Sequence, residues 1–459
     1  MDIKHISYFK NLLSHENVYD DKAHMIAYSY DATRNHYEPD AVLFPRHEED
    51  VSAILKYCNE HRIIITPRGA GSGFTGGALP ANGGIILAFE KHMNKILEID
   101  MDNMVAVVQP GVINMDLQRA VEAQGLFYPP DPASESYSTL GGNVSENAGG
   151  MRAAKYGITK DYVMALRAVL ANGDIIRAGK RTIKDVAGYN IAGILIASEG
   201  TLACITEITL KLIGKPKMSQ SAMGVFPTVN DAMNAVYKTM AAGVTPVAME
   251  FLDNFSIRAV EQKYHKGLPI EAGAILITDV DGNTTDELVA QLDVIEKAFE
   301  QNGCTGFKRA QNKEESASLW FSRRNVSQCI TVYGSKKLNE DITVPRSKLP
   351  LLLEEIGKIA TKYNVTVPCF GHTGDGNVHT NVMVDGSDPK QLEIGHQAIE
   401  EIFKATVALG GTLSGEHGIG LSKAPFMHLA FSDAEMELFR SIKRAFDPNN
   451  ILNPAKMGL

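Results

Sequence analysis

Two histidines flank a turn-forming dipeptide in the last third of the chain, in the segment "GHTGDGNVHTN" (371–381). Asp375-Gly376 is typical of two-residue β-hairpin turns. If these residues form the turn, His372 lies directly opposite His379 on one face of the hairpin, with Cβ atoms about 4.5–5.5 Å apart. Two imidazoles so placed could share one metal ion. The alternative is an Asp-Gly hairpin that carries two surface histidines.

A carboxylate and a further imidazole stand together in a second glycine-rich segment, "GGTLSGEHGIG" (410–420). Glycines allow a backbone to approach a ligand closely. Glu416 could therefore supply a third ligand, and mixed nitrogen and oxygen ligation suits Zn²⁺, Fe²⁺ or Mn²⁺. His417 could act in proton transfer, or it could be a hydrogen-bonding loop histidine.

Arginines that could hold a carboxylate follow the single tryptophan, in "SLWFSRRNVSQ" (318–328). The planar guanidinium of Arg323 or Arg324 offers a bidentate fork for a carboxylate. The alternative for either residue is an exposed arginine on a helix.

Three glycine-rich loops could surround a flat, extended ligand. The first, "IIITPRGAGSGFTGGALP" (63–80), contains G-x-G-x-x-G after a predicted strand, but Pro80 and Gly83-Gly84 follow, and no helix of useful length fits there. The nicotinamide-binding fingerprint requires such a helix, so this context disfavours it. Backbone N–H groups in the loop can still form an anion nest, which Arg68 would help to organise. The other two loops are "DPASESYSTLGGNVSENAGG" (131–150) and "SEGTLACIT" (198–206).

The elements that must position these residues fall into two regions. Residues 1–35 are predicted to be a helical lead-in, and residues 36–215 read as short strands with glycine-rich turns, interrupted by helices at 48–61 and 114–124. Beyond Lys215-Pro216, strands alternate with longer amphipathic helices at 230–242, 285–302, 348–363 and 388–409, which predicts an α+β second domain. We expect one domain at 36–215, a second at 216–415 and a C-terminal segment at 416–459.

Composition excludes several classes of protein. With 459 residues, 44% hydrophobic and 22% charged, the chain resembles a multidomain globular protein. A formal net charge of −9 without a basic run argues against a nucleic-acid partner. The five scattered cysteines predict reduced, mostly buried thiols and no iron–sulfur cluster. No apolar run is long enough to span a bilayer, and no signal peptide is evident, so we expect a cytoplasmic protein, which a partner could hold at the periphery of a membrane.

Four motifs together resemble one family of flavoproteins. "PRGAGSGFTGG", "PPDPAS…TLGGNVSENAGGMRAAKYG", "KDVAGYNI" and "SEGTLACITEITLKL" are similar to the FAD domain of the vanillyl-alcohol-oxidase-type (PCMH-type) flavoproteins, within the D-lactate, glycolate and D-2-hydroxyglutarate dehydrogenase branch. The resemblance runs from about residue 36 to the C-terminus. It implies an α+β fold in which an FAD-binding domain at 36–215 holds the cofactor between two subdomains. An α+β substrate (cap) domain with an antiparallel sheet follows at 216–415, and the segment at 416–459 returns to the FAD-binding domain.

The resemblance also implies the cofactor-binding residues. Some relatives attach the flavin covalently through a histidine where this chain has Ser72, so noncovalent FAD is expected. The cofactor-binding residues carried over are Arg68, Gly69, Gly71, Ser72, Gly73, Pro130, Asp131, Thr139, Gly142, Ser145, Gly149, Gly150, Tyr156, Gly157, Gly200, Thr201, Ile205 and Asn453.

The same family implies a mechanism. His372, His379 and Glu416 would bind a divalent metal, His417 would be the catalytic base, and Arg323 would hold the substrate carboxylate, with Ser327 and Asn381 as further substrate contacts. The spacing of Lys336 and Lys337 does not match the lysine that some relatives use for a distal carboxylate, which favours a small substrate such as D-lactate over D-2-hydroxyglutarate. Electrons would pass to an electron-transferring flavoprotein, a quinone or an iron–sulfur subunit.

Two other functions remain compatible with the sequence. A flavin-binding companion subunit without catalytic activity would lack the ligand set, so the histidines and Glu416-His417 argue against it. An enzyme of the same fold that uses FAD for non-redox ether-lipid synthesis would need a lipid tunnel, which a sequence does not reveal.

Overall fold

The computed structural model describes residues Met1–Leu459. The helices in chain order are α1 (Ile3–Leu13), α2 (Lys22–Tyr28), α3 (Glu48–His61), α4 (Asn114–Glu122), α5 (Leu140–Glu146), α6 (Ala153–Tyr156), α7 (Ile191–Leu195), α8 (Val229–Ala241), α9 (Asn254–Tyr264), α10 (Thr285–Glu300), α11 (Lys313–Cys329), α12 (Leu349–Tyr363), α13 (Pro389–Ala408), α14 (Met427–Ala430) and α15 (Asp433–Phe446). The strands are β1 (Val18–Tyr19), β2 (Ala41–Leu43), β3 (Ile65–Arg68), β4 (Ile85–Ala88), β5 (Ile96–Asp100), β6 (Val105–Val108), β7 (Leu126–Phe127), β8 (Val163–Val169), β9 (Ile175–Gly179), β10 (Cys204–Lys211), β11 (Ile213–Gly214), β12 (Met218–Phe226), β13 (Ala248–Asp253), β14 (Ala274–Gly282), β15 (Gly306–Arg309), β16 (Lys336–Thr343), β17 (Cys369–His372) and β18 (Asn377–Val384).

The chain forms two compact units. The first consists of Met1–Gly149, Ile158–Lys215 and Glu416–Leu459, and the second of Gly150–Gly157 and Pro216–Gly415. The chain therefore leaves the first unit at Lys215, builds most of the second, and returns at Glu416.

The first unit contains two main sheets. One has the strand order β1-β2-β4-β3, in which β2, β4 and β3 are parallel, and the other is antiparallel with the order β5-β6-β10-β8-β9. The β8–β9 connection contains an Asn172-Gly173 turn, where the Gly173 N–H donates to the Leu170 carbonyl at 2.9 Å. No helix lies between β3 and β4, as the argument against a nicotinamide site required.

Helix α3 illustrates how the sequence builds this unit. It begins after His47, whose ring nitrogen accepts the Asp50 N–H at 3.3 Å, and it ends at Arg62 in the left-handed region with φ 57°. Its buried face, spaced at helical intervals, packs into a core with β2, β3 and β4 and contains Val51, Ile54, Leu55 and Cys58. The helix matches the predicted span of 48–61.

The C-terminal segment completes the β3 edge of the first sheet. Ile65 donates its N–H to the Ile451 carbonyl at 2.8 Å, and Asn453 donates its N–H to the Ile65 carbonyl at 2.7 Å. Behind this contact, the buried Lys443 ammonium donates to the carbonyls of Thr201 and Leu452 at 2.8 and 2.7 Å and pairs with Asp447. Residues far apart in sequence are thus joined beside strand β3.

The second unit is built on a seven-stranded antiparallel sheet with the order β15-β12-β14-β13-β17-β18-β16. Helices α8 and α10 contact strands β12 and β14, and α13 contacts β16 and β18. Helices α9 and α11 pack against each other and against β13, and their buried side chains share one hydrophobic core. The predicted α+β domain with an antiparallel sheet is confirmed. All five cysteines are free, and all but Cys304 are buried.

Candidate active site

A cavity in the first unit lies beside the glycine-rich loop that follows β3. The three glycine-rich segments noted in the sequence meet here, together with Glu416 and His417. The predicted cofactor residues that line this cavity are Arg68, Gly69, Gly71, Ser72, Gly73, Thr139, Gly142, Ser145, Gly149, Gly200 and Ile205.

The remaining predicted cofactor residues have other surroundings. The Pro130 carbonyl accepts the side-chain amides of Asn114 and Gln118 at 3.1 and 2.9 Å, and Asn453 donates to the carbonyls of Gly77 and Glu199. Two of these residues, Asp131 and Thr201, are buried in the first unit, whereas Gly150, Tyr156 and Gly157 belong to the second. The phenol of Tyr156 donates to Asp281 at 2.7 Å.

The cavity has the features of a site for an extended polar cofactor. A Cβ added to Gly69 would collide with the Thr139 side chain, and one added to Gly141 would lie 2.6 Å from the Pro110 Cβ, so the backbones are pressed together. The side chains of Ser138 and Asn143 line the cavity and each carries a buried polar atom without a protein hydrogen-bond partner. Buried polar atoms usually have partners, and a bound cofactor could supply them. The lining therefore fits FAD.

Arg68 forms hydrogen bonds with backbone carbonyls of the loop and of a preceding segment. It is buried, and its guanidinium donates to the carbonyls of Tyr30 and Ala78 at 2.8 and 3.2 Å. Burial lowers its pKa from the usual value. Arg68 is thus bonded to the backbone of the loop at Ala78, and its part in binding a cofactor stays a prediction.

The two histidines of the second unit lie on adjacent strands, but the predicted register was wrong. Phe370, not His372, pairs with His379, because the β17–β18 connection spans Thr373–Gly376 instead of two residues. His372 and His379 are therefore diagonal neighbours on one face. Their Nε2 atoms are nevertheless 3.3 Å apart, and both side chains are buried.

A buried glutamate on β13 connects the histidines to the predicted carboxylate-binding arginine. Glu250 Oε1 lies 2.7 Å from His372 Nδ1, and Glu250 Oε2 lies 2.5 Å from Arg323 Nε. Burial alone would raise the pKa of this carboxyl, but His372 and Arg323 outweigh burial and lower the pKa to about 2. Glu250 is thus a carboxylate that accepts from both neighbours, and His372 Nε2 lies on the face shared with His379.

The predicted substrate-contact residues also lie in the second unit. Ser327 accepts a hydrogen bond from Lys337 Nζ at 2.7 Å, and the Asn381 side-chain oxygen accepts from Asn339 at 2.8 Å. Lys337 and Asn339 lie two residues apart on β16, on one face of the sheet. A cationic side chain therefore stands beside Ser327, although the spacing in the sequence did not predict it.

The segment before Glu416 is anchored beside the histidines. The Gly415 N–H donates to the Asp341 carboxylate at 3.0 Å, and Asp341 on β16 is paired directly with His379 on β18. Glu416 follows Gly415 and lines the cofactor cavity, where a Cβ on Gly149 would lie 3.2 Å from the Glu416 Cβ. The His417 ring lies 5.3 Å from that of Phe74, centroid to centroid.

Comparison with known proteins identifies the family. The family of FAD linked oxidases, C-terminal domain, matches residues 215–457, and the FAD binding domain family matches residues 39–179. The chain is 43% identical over 443 residues to glycolate oxidase subunit GlcD of Bacillus subtilis (strain 168), covering 96% of this chain and 94% of the relative. The chain belongs to the FAD-linked oxidases.

Other relatives of this FAD-linked oxidase agree with the assignment. The chain is 36% identical over 433 residues to D-lactate dehydrogenase of Anaerostipes hadrus, and the match covers 91% of this chain and 89% of the relative. A solved structure of p-cresol methylhydroxylase superposes with a TM-score of 0.82 at 18% identity, covering all of this chain and 96% of that one. The similarity confirms the predicted PCMH-type fold, and the protein is a flavoprotein oxidoreductase.

Sequence reasoning missed Glu250 of the FAD-linked oxidase. It interrupts the apolar run "VAMEFLD" (247–253) in a strand whose residues are all buried. A carboxylate in such a run needs paired cations or donors. That rule could have marked Glu250 as a functional candidate, but only the fold identifies its partners.

None of the helices combines the length and the apolar composition that a bilayer-spanning segment needs.

Proposed function

We propose that the protein is an FAD- and metal-dependent dehydrogenase that oxidises a D-2-hydroxy acid to the 2-oxo acid. D-lactate is the preferred substrate, with D-2-hydroxyglutarate and glycolate as alternatives. The observation that carries the proposal is the continuous contact from Arg323 through Glu250 and His372 to His379. It supports the proposal that Arg323 binds the substrate carboxylate next to a pair of metal-ligating histidines.

His372, His379 and Glu416 are the proposed metal ligands. Each of these side chains offers one ligand atom for a metal ion. The histidine Nε2 atoms face each other, and Glu250 fixes the His372 tautomer, as outer partners of metal-binding histidines do. Glu416 is bonded to Gly415, which is anchored on Asp341 opposite His379. Mixed nitrogen and oxygen ligation suits Zn²⁺, Fe²⁺ or Mn²⁺.

The residues of the chain bind the substrate and move its proton. When bound, FAD supplies a hydride acceptor, and a divalent metal supplies a charge that lowers the pKa of the substrate hydroxyl. Arg323 holds the substrate carboxylate through its terminal nitrogens, while its Nε stays on Glu250. Ser327 and Asn381 orient the rest of the substrate, and His417 accepts the hydroxyl proton on its imidazole nitrogen.

The overall reaction removes two electrons and two protons from the hydroxy acid. The electrons must leave the flavin for an external acceptor, and we propose an electron-transferring flavoprotein or a quinone. The relative from Bacillus subtilis is named as a subunit of glycolate oxidase, which supports a partner subunit as the acceptor for this chain.

An anaerobic spectrum tests the proposal. The purified yellow protein is mixed without oxygen with D-lactate, L-lactate, glycolate or D-2-hydroxyglutarate, and the flavin band is followed. Bleaching by a D-acid but not by L-lactate is expected. In His417→Ala the FAD should stay bound, but reduction by the same acid should be nearly abolished, and ordinary reduction would contradict the assignment of His417 as base.

A non-catalytic flavin-binding subunit is the alternative from another class of function. It predicts a yellow protein that no hydroxy acid bleaches but that dithionite still reduces. The buried contacts of Arg323 and His372 with Glu250 favour the enzyme. Burial of ionised groups costs desolvation free energy, and a subunit without a reaction gains no catalysis that would offset it.

A further inference from the structure

The carboxylate of Glu199 holds the backbone directly after His417. Its Oε1 accepts the Ile419 N–H at 2.7 Å and its Oε2 accepts the Gly420 N–H at 2.8 Å. Glu199 is only 5% exposed and lines the cofactor cavity. Both oxygens of this side chain are thus engaged by the loop that carries the proposed base.

Glu199 is itself fixed by its backbone. Its N–H donates to the Ser145 carbonyl at 2.9 Å, and its carbonyl accepts from Asn453 Nδ2 at 2.6 Å. The residue has φ 51°, which is uncommon for a residue with a side chain and is maintained here by these surrounding bonds. The hydrogen-bonded backbone of Glu199 therefore fixes the position from which its carboxylate extends.

Thr75 holds the other side of the same loop. Its hydroxyl donates to the His417 carbonyl at 3.2 Å, and its carbonyl accepts the Leu421 N–H at 2.7 Å. His417 thus lies between two anchors, Thr75 and Glu199, that both belong to the first unit. Positions of this kind control catalysis, because a displacement of about 1 Å can cost roughly 100-fold in rate.

A second carboxyl, Glu146, stands beside Glu199 in the cavity lining. Its side chain fills the space against Gly77 and Gly418, where an added Cβ would collide with it. Its buried Oε2 has no protein hydrogen-bond partner. Glu146 therefore packs against the residue that follows His417, but it does not hold the loop by hydrogen bonds.

The two carboxyls differ in protonation. Burial raises the pKa of Glu146 well above its usual range, and the neighbouring Glu199 and Asp31 raise it further, whereas Lys456 opposes them. Burial also raises the pKa of Glu199, but the Ile419 and Gly420 N–H groups lower it, with help from Lys456 and Lys423. Two adjacent buried carboxyls do not both ionise easily, so Glu199, which has the donors, keeps the charge and Glu146 keeps the proton.

We propose that Glu199 is a positioning residue of the reaction, which as a carboxylate fixes the 416–420 loop and orients the His417 imidazole, while Glu146 acts as a neutral filler beside it. The proposal rests on the proposed function, since it gives His417 the role of base. It distinguishes two buried glutamates that a sequence would treat alike.

A matched pair of substitutions tests it. In Glu199→Gln the amide would place an N–H against one of the two backbone N–H donors, so one bond is lost and the loop shifts. The rate of anaerobic flavin reduction at saturating acid should fall roughly 10–100-fold, with the half-saturating concentration almost unchanged, because Arg323 is untouched. Glu146→Gln replaces a neutral acid by a neutral amide of the same shape and should slow flavin reduction much less than Glu199→Gln does. The acid used is the one that bleaches the wild type.

The outcomes separate the two proposals. If no acid bleaches the wild type, the proposed function fails. If the wild type is bleached but Glu199→Gln reduces normally, or Glu146→Gln is equally slow, the positioning role is overturned. Should Glu199→Gln lose its FAD, Thr75→Val supplies the second test, because it removes the donor to the His417 carbonyl. A slow, FAD-replete Thr75→Val supports positioning of the loop, and a wild-type rate overturns it.

Discussion

The Nδ1 atom of His372 lies 2.7 Å from a carboxylate oxygen of Glu250. Because His372 and Arg323 hold the pKa of Glu250 at about 2, Glu250 is charged at neutral pH and His372 Nδ1 is the donor of this bond. The contact orients the imidazole of His372, as the outer partners of metal-binding histidines do.

Replacement of Glu250 by glutamine should weaken metal binding. The amide lacks the charge that supports His372, and loss of such a partner typically costs about 10–100-fold in metal affinity. Metal content after dialysis against a graded chelator series measures the change. Glu314→Gln, at an exposed position of α11, is the control and should retain wild-type affinity. Equal metal retention in both variants would contradict the ligand role of His372.

Addition of one methyl group to the cofactor loop should abolish FAD binding. In Gly69→Ala the new Cβ collides with the Thr139 side chain in the cavity lining. The purified variant should be colourless, as its absorbance ratio of flavin to protein would report. Gly357→Ala is the matched control, because a Cβ there meets no atom within 4 Å and lies in helix α12. A yellow Gly69→Ala protein would show that the loop can move away from Thr139.

The flavin should be released when the protein is denatured. Ser72 lines the cavity at the position where some relatives of the family carry a histidine that forms a covalent bond, and serine cannot form that bond. Acid precipitation followed by centrifugation should leave a yellow supernatant and a white pellet. A flavin that stays with the pellet would refute noncovalent binding.

Loss of the Lys443 ammonium should destabilise the first unit. In Lys443→Met, the buried Asp447 and the carbonyls of Thr201 and Leu452 lose their shared donor. Breaking a buried ion pair costs about 3–5 kcal/mol. Thermal release of FAD, followed by flavin fluorescence, should occur at a clearly lower temperature than in the wild type. Lys404→Met, which removes an ion pair on the surface of α13, should release FAD at the wild-type temperature.

Local patterns predicted the elements and the composition of the site, but long-range pairing required the structure. Helix α3 and the Asn172-Gly173 turn follow from spacing and turn chemistry, which act over a few residues. The β17–β18 register did not follow, because a two-residue turn at Asp375-Gly376 would pair His372 with His379, whereas the connection contains four residues. The register is also set by β13 and β16 on either side of this pair, and both are distant in sequence.

In the candidate site, too, local motifs predict the residue types, and the structure is needed to show which residues pair. The motifs placed Arg323 and both histidines in one proposed site, but they could not reveal that Glu250 lies between Arg323 and His372. Glu250 is 73 residues from Arg323 and 122 from His372 along the chain. A sequence reveals a charged residue within an apolar strand, and only tertiary pairing shows which cations neutralise it.

The β3 edge of the first unit has a consequence for the biosynthesis of the protein. Ile65 is made early, yet its backbone partners are Ile451 and Asn453, which are separated from it by the whole second unit. A ribosome-bound chain can therefore form the antiparallel sheet of the second unit while strand β3, already paired with β4, still lacks its C-terminal partners. The cofactor cavity, whose lining begins at the end of β3, would then close only after residue 453 has been synthesised, so flavin loading is expected to follow the synthesis of the second unit.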